Sequence, residues 1–128
     1  MSLRSPMGKV LGLGTAKKGA AHWWSQRVTS VALLFLTLWF VGSIAGLGDF
    51  EYVIVIEWLR EPLTAVLLTL LIATTAYHSQ LGVQVVVEDY VADKGLKIVT
   101  MLLLDFVHVV LAALGIFAVL RIAFGAAA

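Results

Sequence analysis

Among the side chains inside or beside the apolar stretches of this sequence, five could carry chemistry with protons or metal ions: His78, Asp89, Tyr90, Asp105 and His108. An ionisable side chain in the middle of a bilayer costs about 2.5–3.5 kcal/mol or more unless it faces a protein interior. Each of these residues is therefore a functional candidate. His78 is the foremost, because imidazole is a common axial ligand of non-covalently bound haem. The structural alternative is a neutral imidazole that is hydrogen-bonded to a neighbouring helix.

The composition places these residues in a membrane. The chain has 128 residues, of which 61% are hydrophobic and 13% are charged, and its mean hydropathy is +0.99. A soluble domain carries about 25% charged residues, whereas about 20 apolar residues cross a bilayer core as a helix. We therefore predict an all-α integral membrane protein of one domain, residues 1–128, with an N-terminal arm at 1–22 and transmembrane helices at about 23–47, 62–88 and 97–122.

Glycine and proline predict where these helices begin and end. The cluster at 46–49 (GLGD) indicates the end of the first helix, which we expect to begin near Trp23. Pro62 fits the first turn of the second helix, where its missing N–H costs nothing. We expect the second loop at 89–97, with a break at Gly95.

Basic residues are divided unequally between the two sides that three spans define. Seven lie in the N-terminal segment and the second loop, and two lie in the first loop and the C-terminal tail. The positive-inside rule therefore predicts that the N-terminus is inside and the C-terminus outside. The seven are Arg4, Lys9, Lys17, Lys18, Arg27, Lys94 and Lys97, and the two are Arg60 and Arg121.

Two classes of function find no support in the composition. The sequence has no cysteine, which excludes disulfides, thiolate-ligated iron–sulfur clusters and covalently attached haem. The N-terminal basic residues are scattered rather than interleaved with aromatic residues in a soluble domain, which argues against nucleic-acid binding. Any haem bound by this chain is therefore expected to be non-covalent.

His78 lies near the middle of the second predicted helix. It is 16 residues from Pro62 and 12 from Tyr90, which correspond to about 24 Å and about 18 Å along a helix. Gly82 follows one turn later on the same face and leaves room for a flat macrocycle, although glycine in membrane helices also serves close packing. Asp89 lies within about 20° of the His78 face, whereas Tyr90 is turned about 120° away.

Arg27 and the pair Asp105 and His108 each allow two interpretations. Arg27 either orients the first helix by snorkelling to the interface or binds haem propionates, for which a guanidinium is suited. Asp105 and His108 are three residues apart and share a helix face. They form either a hydrogen-bonded pair that locks a helix contact, or a second haem ligand or proton relay. Because His78 and His108 have matching heights, a haem ligated within one chain is geometrically allowed.

The pattern H-S-x-x-G…D-Y from His78 to Tyr90, and the head HWWSQRVTSVALL, resemble one family over essentially the whole chain. They are similar to the small hydrophobic D-type subunits, one of the two cytochrome b membrane anchors of bacterial succinate dehydrogenase (complex II). The resemblance implies electron transfer from succinate to quinone, in a helical bundle shared with a second cytochrome b anchor subunit. An iron–sulfur subunit and a flavoprotein subunit would dock at the inner face of the bacterial cytoplasmic membrane.

The resemblance also implies roles for single residues. His78 would be one axial ligand of haem b, with the other ligand supplied by the second anchor subunit. Tyr90 would donate a hydrogen bond to a carbonyl oxygen of ubiquinone, Asp89 would border that site, and Arg27 would lie near the haem propionates. The chain would thus contribute to the quinone site without carrying the dehydrogenase chemistry. A fumarate reductase anchor is the related alternative, and a haem-free three-span assembly or transport protein is the alternative of a different class.

Overall fold

A computed structural model describes residues 16–125, which form four helices joined by short connections. They are α1 (Ala16–Gly46), α2 (Tyr52–Arg60), α3 (Pro62–Tyr90) and α4 (Lys94–Ala123). Three of them, over Gly19–Gly46, Pro62–Tyr90 and Lys94–Ala123, are long and apolar enough to cross a membrane by length and composition. The predicted all-α fold with three membrane-spanning helices is confirmed.

The first helix differs from its prediction at its start. α1 is already helical from Ala16, seven residues before the expected start at Trp23. The segment AKKGAA supplies mainly alanine and lysine, which are strong helix formers, and the single Gly19 does not interrupt it. Of the predicted arm, residues 1–15 lie outside the described residues. The expected end is found, because α1 stops at Gly46 and Gly48 adopts a φ of 72°.

The short helix α2 was not predicted. It follows α1 after a five-residue connection and is separated from α3 by Glu61 alone. Trp58 fixes it to α1 by stacking on Trp39, with ring centroids 6.4 Å apart and planes 20° apart. Pro62 then occupies the first turn of α3, as expected from its missing N–H.

The second loop is shorter than its prediction. α3 continues to Tyr90 and α4 begins at Lys94, so that three residues replace the expected loop at 89–97. Asp93 caps α4, because its carboxylate accepts a hydrogen bond of 2.7 Å from the backbone N–H of Leu96. The expected break at Gly95 is therefore wrong: the cap starts the helix before the glycine, which stands in the first turn.

Neighbouring long helices run antiparallel. The contact of Thr29 with His78 fixes α1 against α3. α3 is fixed against α4 by Lys97, whose Nζ donates a 2.8 Å hydrogen bond to the Glu88 carbonyl. The start of α1, the end of α3 and the start of α4 consequently lie together. We call this the Tyr90 end of the bundle, and the opposite end, with α2, the Trp58 end.

The packed core is small and lies toward the Trp58 end. Ala65, Leu68 and Val119 form its buried cluster, with Trp39, Phe40 and Trp58 partly buried against it. Most large apolar side chains along the three long helices are exposed instead. Such a surface is stable only in lipid or against other apolar helices, which agrees with a membrane-embedded chain.

Candidate functional site

His78 is held against α1. Its Nδ1 lies 2.8 Å from Oγ1 of Thr29. The same hydroxyl lies 2.8 Å from the carbonyl oxygen of Ser25 and 3.1 Å from that of Gln26, and only a donated proton makes these contacts favourable. The hydroxyl has one proton, so it accepts in the contact with His78, whose Nδ1 is then the protonated nitrogen. Nε2 carries the lone pair that a metal ligand needs, and it makes no hydrogen bond within residues 16–125.

Polar side chains of α1 continue this contact toward the Tyr90 end. Gln26 lies over Gly82, where a Cβ would meet its Nε2 at 3.8 Å. Nε2 of His22 and Oε1 of Gln26 are buried and have no hydrogen-bond partner among the described residues. Such atoms are costly when unpaired, so water or a bound group is expected there. The spacing 22, 26, 29 in the head HWWSQRVTS places these residues on one helix face, so the sequence itself carries a signal for this polar face.

Arg27 is not brought to this contact. It is two residues from Thr29, which turns it by about 160° around the helix. Its side chain is exposed, and its guanidinium carbon lies 5.6 Å from the centroid of the Trp23 ring. A cation over an indole face suits the membrane interface. The chain alone therefore holds Arg27 at the surface of α1.

Asp89 and Tyr90 lie in the last turn of α3 and are exposed. The Tyr90 side chain is 84% exposed. Neither side chain forms a hydrogen bond within the part of the chain that the structure describes, whereas Glu88 next to them accepts one from Gln84 at 2.8 Å. Both residues thus end the helix with their polar groups available to a ligand or another subunit.

A second polar contact joins α3 to α4. Nδ1 of His108 donates to the carbonyl oxygen of Leu104 at 2.8 Å, because a carbonyl can only accept. Nε2 of His108 then accepts from the hydroxyl of Ser79 at 3.2 Å. Next to it, Nε2 of Gln80 donates to Oδ1 of Asp105 at 2.8 Å. Asp105 and His108 therefore bond to α3 rather than to each other, and both ring nitrogens of His108 are engaged.

The surface beside this contact is concave. A groove of about 430 Å³ runs between α3 and α4, with alanines and Val109 as its apolar lining. Its polar lining consists of Tyr77, Gln80, Asp105 and His108. Within residues 16–125 there is no group of three or more histidine, cysteine or acidic side chains that could hold a metal ion. A metal at His78 would consequently need its remaining ligands from a porphyrin and from another chain.

These features define a helical membrane subunit that presents one imidazole nitrogen and has most of its apolar surface uncovered. The model of the family described as succinate dehydrogenase/fumarate reductase transmembrane subunit matches residues 1–120, and the chain belongs to this family. The resemblance found in the sequence is thereby confirmed.

Curated relatives carry consistent names. The succinate dehydrogenase hydrophobic membrane anchor subunit of Rickettsia bellii is 33% identical over 94 residues, which cover 73% of this chain and 75% of the relative. The subunit of the same name from Paracoccus denitrificans is 26% identical over 122 residues, which cover 95% of this chain and 94% of the relative. No solved structure matches the chain.

Proposed function

We propose that this chain is the small membrane-anchor subunit of a succinate:quinone oxidoreductase and contributes to electron transfer from succinate to quinone. The family description covers succinate dehydrogenases and fumarate reductases alike. The relatives from Rickettsia bellii and Paracoccus denitrificans both bear the name of succinate dehydrogenase, which favours that direction. The observation that carries the proposal is the contact of His78 Nδ1 with Thr29, which leaves Nε2 without a partner among the described residues.

The donor set at His78 fits a haem b, which when bound supplies a one-electron carrier. In this proposal Nε2 of His78 would hold the haem iron, and the second cytochrome b anchor subunit would supply the other protein ligand. His108 is a poor second ligand, because its ring nitrogens already bond to Leu104 and Ser79. Gly82 lies one turn from the ligand, and the Gln26 side chain that covers it would have to move for the haem to use that space. Arg27 binds a propionate if its side chain leaves the Trp23 ring, which a long flexible side chain permits.

The last turn of α3 is proposed to border the quinone. The Tyr90 hydroxyl donates a hydrogen bond to a quinone carbonyl oxygen, which orients the ring and stabilises negative charge that develops on that oxygen. Quinone reduction consumes two protons. The Asp89 carboxylate beside Tyr90 can hold water and pass protons from the aqueous side. The exposure of both side chains supports this role.

The partners follow from the same proposal. The Tyr90 end faces the cytoplasm of a bacterial cell, as the division of basic residues predicts, and the C-terminus faces the periplasm. An iron–sulfur subunit and a flavoprotein subunit dock at this end. The exposed apolar flanks of α1 and α3 contact lipid and the second anchor subunit, with which the haem is shared. The family match over residues 1–120 disfavours an assembly or transport protein, the alternative of a different class.

The test compares two histidine substitutions in the complete complex purified from membranes. His78→Ala is expected to abolish the low-spin haem spectrum, because Nε2 of His108 is engaged by Ser79. His22, whose Nε2 also lacks a partner among the described residues, lies seven residues before Thr29, about 10 Å along α1 from the His78 contact. His108→Ala is the matched control at similar depth and is expected to keep the spectrum. Haem content per assembled complex and a reduced-minus-oxidised spectrum are the measurements. A full low-spin spectrum in His78→Ala would contradict haem ligation by this residue.

A further inference from the structure

We propose that Thr29 is the positioning residue of the haem ligand. Its hydroxyl oxygen accepts a hydrogen bond from Nδ1–H of His78 and thereby fixes the tautomer, the ring orientation and the electron donation of the imidazole toward iron. The inference rests on the proposed ligation of haem by His78. It adds a residue 49 positions away in sequence, on another helix.

The geometry makes this hydrogen bond directional. The Thr29 hydroxyl donates its hydrogen bond to the carbonyl oxygens of Ser25 and Gln26, one turn earlier in α1. A β-branched threonine in a helix has few χ1 rotamers, and the back-bond to these carbonyls selects one of them. The acceptor lone pair therefore points at a fixed place, where Nδ1 of His78 meets it at 2.8 Å. A ring held this way has one rotamer in which Nε2 can approach a metal.

The chemistry of the acceptor determines how strongly the imidazole donates. Metal-bound histidines commonly give their second N–H to a carboxylate, a carbonyl or water, and this bond raises the basicity of the ligating nitrogen. A hydroxyl is a neutral acceptor and raises it less than a carboxylate does. A carboxylate at this depth would add a charge that is costly in lipid. Thr29 thus supplies orientation and moderate electron donation without that cost.

The competing explanation is that Thr29 only packs α1 against α3. Ser30 provides the matched control, because its hydroxyl donates to the carbonyl oxygen of Gln26 at 2.7 Å and makes no hydrogen bond with His78 among the described residues. Ser30→Ala removes a back-bond of the same kind. An effect caused by α1 alone appears in both variants, and an effect transmitted through His78 appears only at Thr29.

The experiment uses the whole complex with Thr29→Val, Thr29→Ser and Ser30→Ala. Thr29→Val keeps the shape of the side chain and removes the acceptor. We expect haem to be retained with a higher midpoint potential, because a less basic imidazole stabilises oxidised iron less. A tenfold change in the ratio of oxidised to reduced haem, about 59 mV for a one-electron couple, is the expected size. The low-spin electron paramagnetic resonance signal, which reports the orientation of the axial rings, is expected to shift as well. Thr29→Ser and Ser30→Ala should match the parent.

The outcomes separate this inference from the function on which it rests. If His78→Ala keeps its haem, the proposed function and the role of Thr29 both fail. If His78→Ala loses haem while Thr29→Val has the parent's potential and resonance signal, only the role of Thr29 fails. Thr29→Ala, which avoids any crowding by valine, is expected to repeat the result of Thr29→Val. A potential that shifts equally in Ser30→Ala would also overturn the inference, since it would assign the effect to α1.

Discussion

His78, Ser79 and Gln80 follow one another in α3, but they contact different helices. His78 contacts α1, whereas Ser79 and Gln80 contact α4, and the histidines in these two contacts, His78 and His108, have different partners. On the α1 side, Thr29 binds one nitrogen of His78 and leaves the other without a partner among the described residues. On the α4 side, Ser79 binds His108, whose second nitrogen is bound by a carbonyl of its own helix. Successive helical residues turn by about 100°, which is why neighbours at one depth serve different helices.

The difference shows how a ligand is distinguished from a structural histidine. Both rings lie at membrane depth, and both are protonated on Nδ1 by the same argument from their acceptors. What differs is Nε2. In His108 it accepts a hydrogen bond from the Ser79 hydroxyl, and in His78 it has no partner among the described residues. The partners of the ring nitrogens, rather than residue type or depth, therefore separate the two: Leu104 directs the His108 ring along α4, and Thr29 directs the His78 ring against α1. Gln80 and Asp105 satisfy each other on the α4 side.

The contrast between the α1-side contact and the α4-side contact predicts its largest mutational effect at Gln80. Gln80→Leu leaves the carboxyl group of Asp105 without its donor at membrane depth. We expect the free energy of unfolding of the complex in detergent to fall by about 1–3 kcal/mol, the usual cost of an unsatisfied polar group. The haem spectrum should not change, because the contact lies on the α4 side.

A double-mutant cycle sharpens this result. Gln80→Leu with Asp105→Leu removes both partners and is expected to recover most of the lost stability, since apolar side chains facing each other in lipid cost little. Asp105→Asn keeps an acceptor oxygen and is expected to remain near the parent. Two additive single losses in the cycle would mean that Gln80 and Asp105 are not energetically coupled, which contradicts a locking role.

A substitution at Tyr90 tests whether quinone reduction is independent of the His78–Thr29 contact and of the His108–Ser79 contact. Tyr90→Phe keeps the ring and removes the hydroxyl donor. We expect succinate-dependent quinone reduction to fall about tenfold, the equivalent of about 1.4 kcal/mol. Haem content and succinate oxidation with an artificial dye should match the parent. Equal quinone reduction at limiting and saturating quinone would reduce Tyr90 to an interfacial aromatic residue.

The sequence predicts much of this fold because membrane depth imposes simple rules. Three apolar stretches, the glycine cluster after α1 and Pro62 were sufficient to place the three long helices. The short helix α2 escaped prediction, since nine residues are too few to span a membrane and its anchoring depends on the distant Trp39. The loop before α4 was overestimated, because the cap at Asp93 outweighs the glycine that follows it.

The candidate site was predicted only in part for a related reason. The type and depth of His78 single it out, but its partner Thr29 is a commonplace helix residue until the two helices are packed together. Asp105 and His108 were expected to pair with each other or to act on a cofactor. Their actual partners lie on α3 and depend on the register between two helices, which local spacing does not determine.

The smallest expected effect is at Ser79, which belongs to the α4-side contact with His108. Ser79→Ala removes the donor to Nε2 of His108, a long hydrogen bond of 3.2 Å. We expect the stability of the complex to fall by about 0.5–1.5 kcal/mol, toward the lower limit, because the bond is long and the change leaves one neutral acceptor unpaired.

The informative measurement on Ser79→Ala is the haem spectrum and potential of the same preparation. If a histidine with an unpaired Nε2 were sufficient to bind haem, Ser79→Ala would make His108 a competing ligand. We expect no change in either haem property, since the carbonyl of Leu104 still directs the His108 ring along α4. A haem shift in Ser79→Ala that equals the shift in Thr29→Val would mean that the two polar contacts of α3 are not separate.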